Sequence, residues 1–230
     1  MILATLQGKA QPKKAIVIAG YFKTGAGEYA EGDQFLGVAV PDQRAIAKEF
    51  RELPLDQVTR LLQSQWHECR LTALFILVLQ FERAEDPQRR EIVEFYLENL
   101  TGVNNWDLVD SSAPKILGAY ALKEVSFRDR IDQLAASGEL WQERIAVLAT
   151  YPQIRSSDFV QIQKLARKFL THQHDLMHKA VGWMLREMGM IDEHSLLKFL
   201  DSWGAKMPRT MLRYAIEKLP DKQRKEYLAR

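Results

Sequence analysis

A chain of 230 residues with 47% apolar and 27% charged residues has an ordinary globular composition, long enough for one large domain or two small ones. The single cysteine, Cys69, excludes an internal disulfide and fits a reducing cytosolic compartment. The formal net charge of +2 hides an asymmetry: residues 1–110 hold 12 Lys and Arg against 16 Asp and Glu, and residues 111–230 hold 20 against 14. That excess points to a basic face on the C-terminal half, with a partnerless solvated surface as the alternative.

The opening MILATLQGKAQPKK lacks a basic start followed by a long apolar run, so it does not read as a secretory signal. KTGAGEYAEGDQFLG (23–37) holds four glycines but lacks the Gly-Lys-Ser/Thr ending of a phosphate loop. It reads as a long solvated connector. FLGVAV (35–40) is the one short strand candidate. From PDQRAIAKEFREL (41–53) onward, helical periodicity dominates, and its proline stands in the first turn of a helix. LDQVTRLLQ, WHECRLTALFILVLQFER and PQRREIVEFYLENL follow. The apolar run LTALFILVLQF (71–81) reads as a buried helix, and no window reaches the roughly 18 apolar residues of a membrane span.

NNWDLVDSSAP (104–114) places Trp106 and Asp110 on one helical face, with Asp107 near the helix start as a cap. Beyond it, DRIDQLAAS, LWQERIAVLATY, SDFVQIQKLARKFL, DLMHKAVGWMLREMG, DEHSLLKFLDSWG, PRTMLRYAIEKL and DKQRKEYLAR continue as helices. The fold class expected is all-α, with about a dozen helices and no sheet.

A weak repeat runs through the inner helices. RLTALFI begins at Arg70, DSSAPKI at Asp110, RIAVLAT at Arg144 and KAVGWML at Lys179, at steps of 40, 34 and 35 residues. Helix pairs at this period mark an α-solenoid of HEAT-like repeats, whose second helices line a concave groove. The chain, 1–230, then forms a single domain, with Arg70, Asp110, Arg144 and Lys179 along one groove. Chance similarity among amphipathic helices is the alternative.

Taken singly, these residues have bland readings. Tryptophan on a helix is usually core. Arg144 beside Glu143 reads as a surface pair, and an aspartate early in a helix as a cap. Taken jointly, Trp106 with Asp110, Arg144, and Lys179 with Trp183 would set two tryptophans around an aspartate and an arginine in a basic groove. THQHDLMH holds His174 and His178 four apart, a spacing that can hold zinc. No glutamate lies between them and no third ligand is evident beyond His172, so capping or solvated histidines are expected and no metal. Lys179 as a Schiff-base nucleophile needs a depressed pKa; phosphate binding is the preferred reading.

The segments FLGVAVPDQRAIAKEF, NNWDLVDSSAPKILG, LWQERIAVL, HKAVGWMLREMG and MPRTMLRYAIEKLP resemble the AlkD-like DNA alkylation repair enzymes. The likeness runs from about residue 12 to residue 220. WDLVD and KAVGWMLRE in this order are its specific part. The resemblance implies a HEAT-like solenoid with a concave DNA-binding groove, and glycosylase activity on cationic N3- and N7-alkylated purines in duplex DNA. It implies Asp110 as catalytic acid, Trp106 and Trp183 as an aromatic clamp, and Arg144 as the phosphate-binding arginine. Tyr21, in AGYFKTG, matches an aromatic contact near the lesion. Lys179, Lys206, Arg209 and Arg213 are candidates for further phosphate contacts. No cofactor, membrane or obligate protein partner is expected, and a monomer is. A bacterial cytoplasm, with the protein on the nucleoid when acting, comes only through the resemblance. The alternative is a non-catalytic HEAT-repeat scaffold binding DNA or protein.

Overall fold

The computed structural model describes residues 1–229, and helices account for every regular element among them. The strand candidate at 35–40 does not form a strand. Residues 35–39 run without regular structure, and the one ladder contact nearby is an isolated parallel bridge between Gln34 and Trp66. The reason is local. Gly37 adopts φ +81°, and the amides of Leu36, Gly37 and Val38 donate to the Glu68 carboxylate instead of to a neighbouring strand. A Cβ at residue 37 would lie 2.3 Å from the Gln11 carbonyl oxygen, so only glycine fits this crossing.

The chain divides into two compact units, Met1–Ser112 and Ala113–Arg230. The first holds α1 (Ile2–Gln7), α2 (Pro12–Tyr21), α3 (Val40–Glu49), α4 (Leu55–Leu62), α5 (His67–Arg83), α6 (Asp86–Glu98) and α7 (Trp106–Ser112). Prolines in the first turns of α2, α3 and α6 use a position where the missing N–H is not needed. α5 buries thirteen of its seventeen residues, so after its polar first turn its sequence, from Leu71 to Leu79, is apolar nearly all round instead of amphipathic. α1, α3, α4, α6 and α7 pack on it.

The second unit opens with a π-helical turn, Pro114–Gly118, and continues through α8 (Ala119–Lys123), α9 (Arg128–Ala135), α10 (Leu140–Leu148) and α11 (Tyr151–Arg155). It ends with α12 (Val160–Lys168), α13 (Asp175–Ile191), α14 (Glu193–Trp203), α15 (Arg209–Ala215) and α16 (Asp221–Ala229). α13 is its centre, packed by α10, α11, α12, α14 and α15. Pairs of successive helices, α4 with α5, α5 with α6, α9 with α10, α12 with α13 and α13 with α14, pack on one another, in keeping with an α-solenoid of helical repeats. Asp110, Arg144 and Lys179 each take the fifth position of their helix, in α7, α10 and α13. The recurring spacing in the sequence therefore corresponds to a recurring helix position.

α13 and α15 pack closely at Gly182. A Cβ at Gly182 would meet the Met211 carbonyl oxygen at 2.5 Å and the Tyr214 Cβ at 2.6 Å. Gly182→Ala is expected to destabilise the protein by about 1–3 kcal/mol through overpacking, despite alanine's better helix propensity. Denaturant unfolding measures this. Equal or greater stability in the variant would contradict the close approach.

Candidate active site

In the first unit, α7 is built to present Trp106. The preceding Asn105 caps the helix: its Oδ1 accepts from the Trp106 amide at 2.8 Å, and its carbonyl accepts from the Val109 amide at 3.1 Å. Asp107, expected as the cap, is already inside the helix. Its Oδ1 accepts from the adjacent Leu108 amide at 2.9 Å, while Oδ2 lies 2.8 Å from His67 Nε2. A buried histidine therefore claims the carboxylate that the sequence assigned to capping.

The loop at 23–37 is not the solvated connector expected. Phe22, Ala30 and Phe35 are buried in their own apolar cluster, against which Trp106 packs. Asp33 turns inward, with its side chain 8% exposed. Its Oδ2 accepts from Asn105 Nδ2 at 3.0 Å and lies 3.1 Å from His67 Nδ1, and its Oδ1 accepts from Arg70 Nη2 at 2.5 Å. Arg70 also donates to the Ser64 carbonyl at 2.8 Å. Arg70, expected along a groove, is thus a buried structural cation with its side chain only 5% exposed. Loops of this length hide such anchors from pattern reading because a single buried carboxylate has no period.

Both ring nitrogens of His67 face carboxylate oxygens, and an ionised carboxylate only accepts. The imidazolium form satisfies both contacts at once. Burial pushes the His67 pKa down, but the hydrogen bonds to Asp107 and Asp33 outweigh it and leave the value raised above 6.5. Burial pushes Asp33 up, and its hydrogen bond to His67, the Arg70 charge and the Asn105 amide together bring it below 3.8. The two shifts set a stability window. The histidine's contribution is fully present below its unfolded value of 6.5 and is lost as pH rises through the raised folded value. The aspartate's is present above 3.8 and is lost as pH falls through the lowered folded value. The stability difference between wild type and His67→Gln is expected to be greatest between those two values. A difference that grows as pH rises above neutrality would contradict the assignment.

Aromatic rings complete the bed under Trp106. Phe22 stacks on it at 5.0 Å and 11°, and Phe35 in turn stacks on Phe22 at 5.2 Å. Both phenylalanines lie against the His67 ring, at 4.9 and 4.7 Å. Tyr21 meets Trp106 edge-on at 6.0 Å and is itself 68% exposed. Asp110 follows one turn along α7, half-buried, with the Tyr96 phenol in its field. Burial first, and the Asp110 charge with it, raise the Tyr96 pKa. Ser112 Oγ donates to the Leu108 carbonyl at 2.6 Å, which leaves the Tyr96 hydroxyl to donate to Ser112 at 3.1 Å. Tyr21, Trp106 and Asp110 thus belong to one unit, and Tyr21 touches Trp106. Phe22, Asp33, His67 and Asn105 are the residues that sequence reasoning missed.

In the second unit, Arg144 is buried, not part of a surface pair, and its Nη1 donates to the Leu176 carbonyl at 2.5 Å at the start of α13. Neighbouring Glu143 is buried too and takes His172 Nε2 at 2.9 Å. Trp183 is half-buried, and its indole N–H donates to Glu187 at 2.9 Å. Lys179 pairs with Asp175 one turn back at 2.8 Å. Lys206, Arg209 and Arg213 are all exposed. Lys206 lies 5.1 Å above the Trp203 ring, and Arg209 donates to the Leu228 carbonyl at 2.6 Å. Of the histidines considered as ligands, His174 caps α13 by accepting from the Leu176 amide at 3.1 Å, and His178 contacts the His172 carbonyl. Among the described residues no group of His, Cys, Asp or Glu is arranged to hold a metal ion, and no helix is long and apolar enough to cross a membrane.

A family model described as DNA alkylation repair enzyme matches residues 2–219. A solved structure described as a predicted DNA alkylation repair enzyme from Enterococcus faecalis is similar with a TM-score of 0.72, covering 93% of this chain and 98% of that chain. At 15% identity, that likeness is one of fold. No curated protein sequence matches the chain significantly.

Proposed function

The chain belongs to the DNA alkylation repair enzyme family, and we propose that it is a DNA glycosylase of base excision repair acting on cationic N3- and N7-alkylated purines in duplex DNA. The observation that carries this reading is the pairing of Asp110 with Trp106 on one turn of α7, the tryptophan braced from below and flanked by the exposed Tyr21.

Alkylation at N3 or N7 gives the purine a formal positive charge and makes it a good leaving group. The glycosidic bond then breaks toward an oxocarbenium-like sugar. An ionised Asp110 stabilises that cation and orients the attacking water. Trp106 in the first unit offers a π face to the cationic base, tryptophan being the strongest cation–π partner, and Trp183 in the second unit offers another for DNA. Arg144 is buried and donates to the Leu176 carbonyl, so it serves a backbone phosphate, which gives position without sequence reading, only once its side chain leaves that bond. Tyr21, Lys179, Lys206, Arg209 and Arg213 supply further DNA contacts, the cationic four to phosphates. Hydrolysis of this kind needs no cofactor, and the protein acts as a monomer.

A leaving group that already carries a charge needs little acid catalysis, so the lesion's charge should decide the rate. In a panel of duplexes, each with one modified base, N3-methyladenine and N7-methylguanine are expected to be released above the spontaneous rate, and uracil and hypoxanthine are not. Release of the uncharged bases at comparable rates would contradict the mechanism. Binding to every duplex without release of any base would favour the scaffold.

A further inference from the structure

The residues on either side of Trp106 in the chain are both held by one buried cluster. Asn105 grips the Trp106 amide through Oδ1 and Asp33 through Nδ2. Asp107 grips His67 through Oδ2. His67 reaches back to Asp33 through its other nitrogen, and its ring lies against Phe22, which stacks on the Trp106 indole. The indole is therefore located through its backbone on both sides and through its ring face, and His67 lies in two of those three routes.

We propose that His67, held as an imidazolium between Asp33 and Asp107, is a positioning residue that fixes Trp106 for the lesion. This deepens the glycosylase reading and rests on it only for its effect on rate. Four charged groups meet in the cluster: Asp33 from the loop, Asp107 from α7, and His67 and Arg70 from α5. With His67 charged, they sum to zero. With His67 neutral, one ring nitrogen loses its proton and faces a carboxylate oxygen as a second acceptor, which breaks one of the two links. The remaining buried carboxylate on α5, Glu68, is occupied by the amides of Leu36, Gly37 and Val38 and holds the same loop from the other side. The His67 link between the loop and α7 is therefore complete only while the proton is in place, and the neutral form leaves the direct Asn105–Asp33 bond to hold them alone.

The experiment has one part free of activity and one that reads it. Histidine labelled with nitrogen-15 in the full chain is expected to show both His67 ring nitrogens protonated at pH 7.5, the signals being assigned by their loss in His67→Gln. A neutral His67 with a single protonated nitrogen at pH 7 would overturn the proposal. The Trp106 indole N–H resonance is expected to shift in His67→Gln, and single-turnover base release to fall about 10- to 100-fold as the indole loses its place. DNA affinity stays within about threefold, since Trp106 is one contact among many phosphate contacts. The wild-type rate should decline through the pH at which His67 deprotonates, and the variant should lack that limb. An unmoved Trp106 resonance with a wild-type rate and pH profile would overturn the proposal, since lost stability alone would leave those readouts in place. Should His67→Gln fail to fold, Asp107→Asn carries the same measurements with the loop link intact. Should wild type release no base, the nitrogen and indole resonances decide the positioning claim without it, and only the glycosylase reading fails.

Discussion

Asp33→Ala is expected to lower the free energy of unfolding by about 3–5 kcal/mol, the range for removing one partner of a buried ion pair. The side chain is 8% exposed and serves three partners, of which Arg70 and His67 are 5% and 3% exposed. Its loss leaves the Arg70 guanidinium with the Ser64 carbonyl in place of a carboxylate, and leaves His67 with Asp107 alone. Neither cation can reach water without opening the loop. Domains have only about 5–15 kcal/mol in total, so the change removes a large share of the margin. Asp33→Asn, which keeps an oxygen acceptor and the shape, should cost clearly less. Urea unfolding at pH 6 compares the three proteins, and a loss below about 1 kcal/mol for Asp33→Ala would show that the cluster does not anchor the loop.

Asp110→Asn is expected to reduce base release by about 10²–10³-fold, the effect of removing one well-placed group that stabilises transition-state charge. The substitution keeps the volume and the hydrogen-bonding shape but removes the negative charge that meets the sugar cation. It also leaves a weaker acceptor for the attacking water. DNA binding should hold or strengthen slightly, because a carboxylate facing a phosphate backbone opposes association. The effect therefore belongs in the chemical step, and single-turnover rates with separate binding titrations locate it there. A variant that lost binding and rate in equal measure would place Asp110 in the binding surface only.

Much of the helical architecture is legible in the sequence because burial writes a period. α5 and α13 stand out as long apolar stretches, and prolines mark the starts of α3 and α6. α2 escapes notice because its packed face is small and only half-buried: Ala15, Ile18 and Ala19 lie against the Phe22 cluster, while the equally apolar Ile16 and Val17 are exposed and blur the pattern. α12 starts at Val160, two residues beyond Asp158, whose carboxylate accepts from the Val160 amide at 3.2 Å, after Ser157 turns the chain with φ +62°. The spacing of Trp106 and Asp110 is legible because one helix carries both. The cluster beneath them is not, because its members come from a loop and two helices. His67 pairs with residues 34 and 40 positions away, and Asp33 with one 72 positions away. Arg70 shows the same limit. Its place in the repeat is visible, but the buried aspartate that occupies it is not.

That division explains why the surface and the support of the site differ so much in legibility. Residues offered to a ligand are chosen for chemistry, and tryptophan, aspartate and arginine announce it. Residues that hold them in place are chosen for one partner each, and an isolated histidine or aspartate announces nothing. The glycine-rich loop belongs to the second kind, since its composition suggests freedom while Gly37, Asp33 and Phe35 fix its path.

The central claim is that Asp110 drives cleavage of the bond to a cationic purine. Single-turnover release of N7-methylguanine from a duplex carrying one such base, at neutral pH, tests it most directly when wild type and Asp110→Asn are run beside the spontaneous reaction. Release by wild type well above the spontaneous rate, largely lost in the variant while DNA binding persists, is the result expected. Wild type that binds the duplex and releases the base no faster than it leaves unaided would contradict the account.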